Sequence, residues 1–179
     1  MAPDVQSRSA ADRASLYRPV FVGREAELPK FLAKVSPATR LRIRYEGFQI
    51  PERLPQYFAM ADVFVLPSRY DGWGVVINQA LAAGLPIITS DAVGAGFDLV
   101  ENGTNGLRVI ADDVNMLYRA MEMFALSPTL VRKWGQSSRE KARDITPEAG
   151  AEKWVRIFES VRENVVRVRT GGEIDARTL

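Results

Sequence analysis

Asp71, Asn78 and Gln79, with Gly72 and Gly74 among them, are the residues of this chain whose types and spacing suggest binding chemistry. A carboxylate and two carboxamides supply acceptors and donors suited to sugar hydroxyls. The glycines flank Trp73, and without a Cβ they let backbone N–H groups come close to a ligand. If a helix starts just after them, its unbonded N–H groups and positive dipole end suit a phosphate. Gln79 follows Asp71 by eight positions, about two helical turns, so both can line one cleft. A plainer reading stands beside this one: the glycines serve a tight turn and Asp71 caps the helix.

The flanking sequence says which elements position these residues. Val63-Phe64-Val65-Leu66 is an unbroken apolar run, too short for a globular helix and rich in β-branched and aromatic types, which reads as a buried parallel strand. Pro67, Ser68, Tyr70 and Asp71 give the loop its turn chemistry. A helix is predicted over Val75 to Ala83, stopped by Gly84 with Pro86 just beyond. Ile87-Ile88-Thr89 supplies a second strand. Strand, glycine-bearing loop, helix and strand make a βαβ crossover, and ligands of open α/β sheets sit at the carboxyl ends of the strands, where this loop lies.

The stretch from Phe64 to Asp91 resembles the signature of glycosyltransferase family 4, whose members have the GT-B fold. The family pattern is PS, a short gap, E-G-F/W-G, E-A about eight residues after the first Glu, then G-x-P-V-I. Here it reads Pro67-Ser68, Asp71-Gly72-Trp73-Gly74, Gln79-Ala80 and Gly84-Leu85-Pro86-Ile87-Ile88, in register throughout. The resemblance implies that Asp71 faces the donor sugar. It likewise implies that the amides of Trp73, Gly74 and Val75 meet sugar and diphosphate, with Gln79 taking the ribose hydroxyls and Ser68 and Asn78 beside them. Both family glutamates are replaced. Asp71 keeps the charge with a shorter reach, whereas Gln79 loses the charge, keeps a carbonyl acceptor and adds a donor. The implied activity is sugar transfer from a nucleotide-sugar donor with retention at the anomeric carbon; the nucleotide sugar is a co-substrate, and no cofactor is implied.

Composition narrows the chemistry further. The chain has 179 residues, 46% of them hydrophobic, enough for one domain with a sizeable core. Net charge is +2 with 26% charged residues of both signs, which argues against nucleic acid or an anionic membrane as the main partner. No apolar run approaches a membrane span and residues 1–18 are polar, so neither a span nor a signal peptide is predicted, and the cytoplasm is the default location. There is no Cys and no His. Thiol and imidazole chemistry are therefore excluded within this chain, and carboxylates, Lys, Tyr and backbone dipoles remain. No Asp-x-Asp occurs, so the expectation is a site without metal, its phosphates held by amides and cations.

The rest of the chain frames the domain. Residues 1–18 read as a flexible lead, 19–166 as a Rossmann-like donor-binding domain with a parallel sheet and helices on both faces, and 167–179 as a disordered tail. Strands are predicted near residues 20, 41, 63, 87 and 107, with helices over Glu25 to Val35 and Arg53 to Ala61. By resemblance, the Gly23 turn matches the family's second βα unit. The first unit, with the Arg and Lys that clamp the diphosphate, is then expected upstream of Met1, together with the amino-terminal acceptor domain. A competing reading makes Arg24 and Lys30 that clamp; the bland one makes them solvent-facing helix charges. Gly94 and Gly96 either bring backbone near the donor or form a plain turn, and Asn105-Gly106 reads as a turn. Three helices are predicted at the carboxyl end, with Met and aromatic stripes that read as core. The stripe Trp154, Val155, Phe158, Val161 and Val165 belongs to the helix that crosses back to the amino-terminal domain in the family, so part of it is a candidate for self-association. The rival from another class is a non-catalytic nucleotide-binding or interaction module derived from a glycosyltransferase. A nucleotide-sugar epimerase is a weaker third option, lacking the His or paired carboxylates that chemistry recruits.

Overall fold

Short apolar runs separated by capped helices set the order of elements in the computed structural model, which describes residues 17–24 and 27–169. Strand β1 is Val20–Val22. Helix α1 covers Leu28–Leu32, with Pro29 in its first turn, where no N–H partner is needed, and Leu28 and Leu32 buried. A helix absent from the sequence reading, α2 at Pro37–Arg40, follows at once. Its start is fixed by the Ser36 hydroxyl, which accepts from the Thr39 N–H at 3.2 Å. Leu41 and Arg42 are drawn into the turn that ends α2, so strand β2 runs over Arg44–Gly47, later than expected.

A 3-10 turn at Pro51–Arg53 leads into α3, Leu54–Met60. Then β3 (Phe64–Leu66), α4 (Val76–Ala83), β4 (Ile87–Ser90), α5 (Gly94–Leu99) and β5 (Gly106–Val109) alternate. Helices α6 (Val114–Leu126), α7 (Pro128–Ala142) and α8 (Pro147–Arg169) complete the chain. Residues 1–16 of the stretch read as a lead lie outside the described residues. So does the end of the stretch read as a tail, although α8 enters it as far as Arg169.

All strand pairing is parallel, in two sheets rather than the single one expected: β1 with β2, and β3-β4-β5 with β4 central. Among the described strands none pairs across the two sheets, so β1, β2, β3 and β5 each keep one edge unpaired. Strand β4 is buried along its whole length. Its alternation divides the core, because successive strand residues point to opposite faces. Ile87 packs with Ile77, Leu81, Val93 and Leu99 from the α4 and α5 side. Ile88 packs with Val109, Ala120, Phe124 and Trp134 from the α6 and α7 side, and the Phe124 and Trp134 rings meet edge to face at 5.2 Å. Full burial of the two isoleucines is worth roughly 3–6 kcal/mol.

Two contacts anchor α4, the helix that carries the candidate site. Gly84 ends it in the left-handed conformation, φ 78°, as its sequence predicts. Helix α7 crosses that end so closely that a Cβ at Gly135 would collide with the Gly84 carbonyl, and the fully buried Ser138 hydroxyl donates to the Leu85 carbonyl at 2.7 Å. On the other flank, the Tyr57 hydroxyl donates to the Glu46 carboxylate at 3.1 Å and joins α3 to β2. Desolvation, then this bond and the Glu46 charge, raise the Tyr57 phenol above its ordinary pKa.

The stripes of α6 and α7 are core, as read, whereas the α8 stripe, part of which is the candidate for self-association, is uncovered. Trp154 and Phe158 stack at 5.6 Å while remaining 60% and 64% exposed, and Val155, Val161 and Val165 are exposed beside them. Helical periodicity marks the apolar face of α8; it does not provide the element that would cover it. No described helix is long and apolar enough to cross a membrane.

Candidate functional site

The loops that leave the carboxyl ends of β3, β4 and β5 are bonded to one another, and this mutual support builds the site. The Ser90 hydroxyl donates to the Ser68 carbonyl. Arg69 Nε lies 2.6 Å from an Asp112 oxygen, with Asp112 itself in the left-handed region at φ 64°. The Asp91 carboxylate accepts from the Ala111 N–H at 2.8 Å. Asp113, one residue later, caps α6 by accepting from Met116 N–H at 2.8 Å.

Asp71 stands at the centre of this rim. Its N–H donates to the Ala92 carbonyl at 3.0 Å, its carbonyl accepts from the Gly94 N–H at 3.2 Å, and the Trp73 carbonyl accepts from the Ala95 N–H at 2.7 Å. The Asp71 carboxylate turns back to accept from the Trp73 N–H at 3.2 Å. Gly74 is buried at φ 84°, where a Cβ would lie 2.6 Å from Val93 Cγ1 and 3.3 Å from Leu66 Cδ2, so conformation and space both demand glycine. Gly74 therefore has a conformational and packing role in the loop, beside any contact of its N–H with a ligand. Asp71, however, caps the loop amide of Trp73 rather than α4, whose N-cap residue, Val75, offers no side-chain oxygen.

The consequence is a set of free donors. Trp73 N–H is occupied, but among the described residues no hydrogen bond reaches the N–H groups of Gly74, Val75 and Val76 at the start of α4. Val75 and Trp73 are exposed there, beside the half-buried Asp71. Along α4, Asn78 Oδ1 is buried without a hydrogen-bond partner. Gln79 is exposed and lines an open groove of about 980 Å³ between α3, α4 and α7, together with Pro51, Leu54, Phe58, Arg132 and Arg139.

Ser68 contributes its carbonyl to the rim. Arg24 and Lys30 lie with the other sheet's elements: the Arg24 guanidinium sits 4.6 Å from the centre of the Phe48 ring, and Lys30 pairs with Glu27 at 2.6 Å in the open. No hydrogen bond or ion pair joins either to the Asp71–Val75 loop among the described residues.

Sequence reasoning singled out Gly94 and Gly96 in the second loop but did not find that this segment bonds to the Asp71 loop. Gly94 and Gly96 belong to the first turn of α5, not to a plain turn. A Cβ at Gly96 would lie 2.9 Å from Thr89 Cγ2, and one at Gly94 would collide with the Gly72 carbonyl. Asn105 is more than a turn residue: buried, it accepts from Glu101 N–H at 2.7 Å and donates to the Leu99 carbonyl at 2.9 Å. The available signal was the run of small residues after a strand, which marks close backbone approach without naming the approaching partner. Among the described residues no three Asp or Glu side chains converge as a metal-binding group.

Parallel strands, crossover helices on both faces and a glycine loop at the carboxyl end of β3 define a Rossmann-like α/β unit of the kind that binds nucleotides at its strand ends. The chain belongs to the family "Glycosyl transferases group 1", whose pattern matches residues 2–125, and sugar transfer is the family's reaction. It is 29% identical over 140 residues to the lipopolysaccharide core biosynthesis mannosyltransferase LpsB of Rhizobium meliloti, a match covering 76% of this chain and 38% of that protein. Among solved structures it resembles Anabaena HepE in complex with UDP, with TM-score 0.68, 19% identity, and 83% of this chain on 43% of that one. It also resembles the C-terminal domain of a glycosyl transferase group 1 protein from Francisella tularensis, with TM-score 0.57, 16% identity, and 71% of this chain on 84% of that one. At these identities the solved neighbours establish the fold, that of the GT-B glycosyltransferases.

Proposed function

We propose that this chain is the donor-binding half of a retaining, metal-independent glycosyltransferase. The observation that carries the reading is the trio of unbonded N–H groups at Gly74, Val75 and Val76, opening α4 directly beside Asp71. Three amides at a helix start favour a diphosphate, and their dipoles are pre-aimed at the charge that develops on a departing nucleoside diphosphate. The Asp71 carboxylate shares the loop with these amides, where it would orient sugar hydroxyls; exposed Gln79 offers polar atoms for the ribose end, and the buried, unpartnered Asn78 Oδ1 lies next to it in sequence on α4. The chain spans 38% of the length of the mannosyltransferase it matches, so the acceptor is assigned to a partner domain outside this sequence.

The test is a two-dimensional NMR titration of the isotope-labelled chain with UDP, GDP, ADP and their common sugar conjugates. Saturable shifts at Gly74, Val75 and Gln79 for one nucleotide are the expected result, with no sugar transfer by the isolated chain. Absence of shifts up to millimolar ligand would overturn donor binding; transfer by the purified chain would overturn the division of labour.

A second reading, a non-catalytic nucleotide-binding module, draws support from one contact. The Asp71 carboxylate accepts from Trp73 N–H, so it is engaged inside its own loop, and Gln79 stands where the family resemblance has an acid. Nucleotide binding with no discrimination between nucleotide and nucleotide sugar would favour this reading.

A further inference from the structure

We infer that Gly94 is a positioning residue for the donor site: the Ala92–Ala95 segment sets the shape of the Asp71–Val75 loop. The inference rests on the donor-loop reading above. Three main-chain bonds join these segments across more than twenty residues of sequence, from Asp71 N–H to Ala92, from Gly94 N–H to Asp71 and from Ala95 N–H to Trp73. The first-turn amides of a helix have no partners within it, so those of α5 must be satisfied from outside. Here two of those amides are spent on carbonyls of the donor loop. Helix α5 therefore holds the loop, and the free amides of α4 are left for the ligand.

Gly94 is where this support is tightest. Its φ is not positive, so an alanine has no backbone penalty there; the sole obstacle is that its Cβ would collide with the Gly72 carbonyl, with the carbonyl carbon at 3.2 Å and Trp73 Cα at 3.3 Å. Gly94→Ala consequently perturbs the donor loop by contact alone. Gly106→Ala is a matched control. It likewise sits at a φ that alanine accepts and likewise collides with a main-chain carbonyl, that of Ile87, at the amino end of β5 and away from the donor loop and the Gln79 groove.

Both variants are expected to lower the unfolding temperature. Only Gly94→Ala is expected to move the amide resonances of residues 71–76, and to weaken whichever of UDP, GDP or ADP the wild type binds by tenfold or more, with Gly106→Ala within twofold of wild type. Resonance changes confined to residues 93–96, or equal loss of affinity in both variants, would overturn the inference. If the wild type binds none of the three nucleotides, the donor reading fails, while the resonances of residues 71–76 still decide the positioning role. Should Gly94→Ala fail to fold, amide exchange in the wild type decides: the N–H groups of Asp71, Gly94 and Ala95 are expected to share one protection factor as a single opening unit, and independent exchange refutes the coupling.

Discussion

Replacing Gly74 with alanine tests whether the donor loop is held by shape or merely tolerates glycine. At φ 84° an alanine sits in the left-handed region, at a cost of about 1–2 kcal/mol. Its Cβ would also lie 2.6 Å from Cγ1 of the fully buried Val93, where overpacking costs about 1–3 kcal/mol more. The expected loss is about 2–5 kcal/mol. The two contributions separate in a double-mutant cycle with Val93→Ala, which on its own removes two buried methyl groups and costs about 2–3 kcal/mol. In the double variant the new methyl enters the space left by Val93, so the overpacking share is recovered and only the dihedral cost persists. The coupling energy is therefore expected to be about 1–3 kcal/mol in the favourable direction, well beyond the ~0.5 kcal/mol scatter of independent sites. Urea unfolding followed by tryptophan fluorescence measures all four corners; at a slope of about 2 kcal/mol per molar, Gly74→Ala moves the midpoint down by roughly 1–2.5 M. Strict additivity of the two substitutions, or a Gly74→Ala loss under about 1 kcal/mol, would refute the packing argument and with it the view that Val93 shapes the loop.

Asn105→Ala strands the Glu101 N–H and the Leu99 carbonyl in a buried corner. It should cost about 2–4 kcal/mol by the same urea assay, and a loss below ~1 kcal/mol would mean that water replaces the side chain. Gln79→Glu restores a charge to the groove-facing position. If Gln79 meets ribose hydroxyls, a charge-assisted bond adds about 1 kcal/mol, about fivefold in Kd for the bound nucleotide by calorimetry, and unchanged or weaker binding removes Gln79 from the site. The exposed ring stack on α8 predicts self-association of the isolated chain. Trp154→Ser with Phe158→Ser should lower the weight-average mass in sedimentation equilibrium while altering stability by no more than about 0.5 kcal/mol, and an unchanged mass argues against that face.

Residues 63–90 were legible in the sequence because their signals are local. An apolar tetrad, two glycines, a helix former run and a Gly-x-Pro stop each act within one turn of chain, and β4, buried on both faces, lacks the alternation of a half-exposed strand. The errors arose where a neighbour in space decides. Leu41 and Arg42 look like strand until Ser36 caps a helix immediately before them. The α8 stripe, part of which the family resemblance leaves uncovered, shows the same dependence without being an error: it has the period of the α6 stripe, yet Phe124 is buried against Trp134 while Phe158 is 64% exposed. A stripe states that a helix needs cover and leaves open what covers it.

The candidate site divides along the same line. Asp71, Trp73 and Gly74 were recognisable from spacing, but their conformation depends on Ala92, Val93 and Gly94, and no periodicity links positions that far apart. That dependence changes the chemical reading of the loop. The sequence reading places unbonded amides at the start of α4 and leaves Gly94 and Gly96 as either backbone near the donor or a plain turn, whereas the structure makes the latter the start of a second helix, α5. Because the second spends its Gly94 and Ala95 N–H groups on the Asp71 and Trp73 carbonyls, only the first retains donors for an anion. The acid at position 71 then has a double task. Its main chain anchors the loop to α5, while its side chain occupies the Trp73 N–H, an amide that a longer glutamate side chain need not hold. A ligand group that displaced the carboxylate from Trp73 would free a fourth donor and release the charge toward the sugar. Asp71→Glu should therefore leave the unfolding free energy within about 0.5 kcal/mol of wild type, since the main-chain anchors persist, and tighten nucleotide-sugar binding relative to nucleotide alone. Equal changes in both affinities would show that the side chain serves the loop and not the sugar.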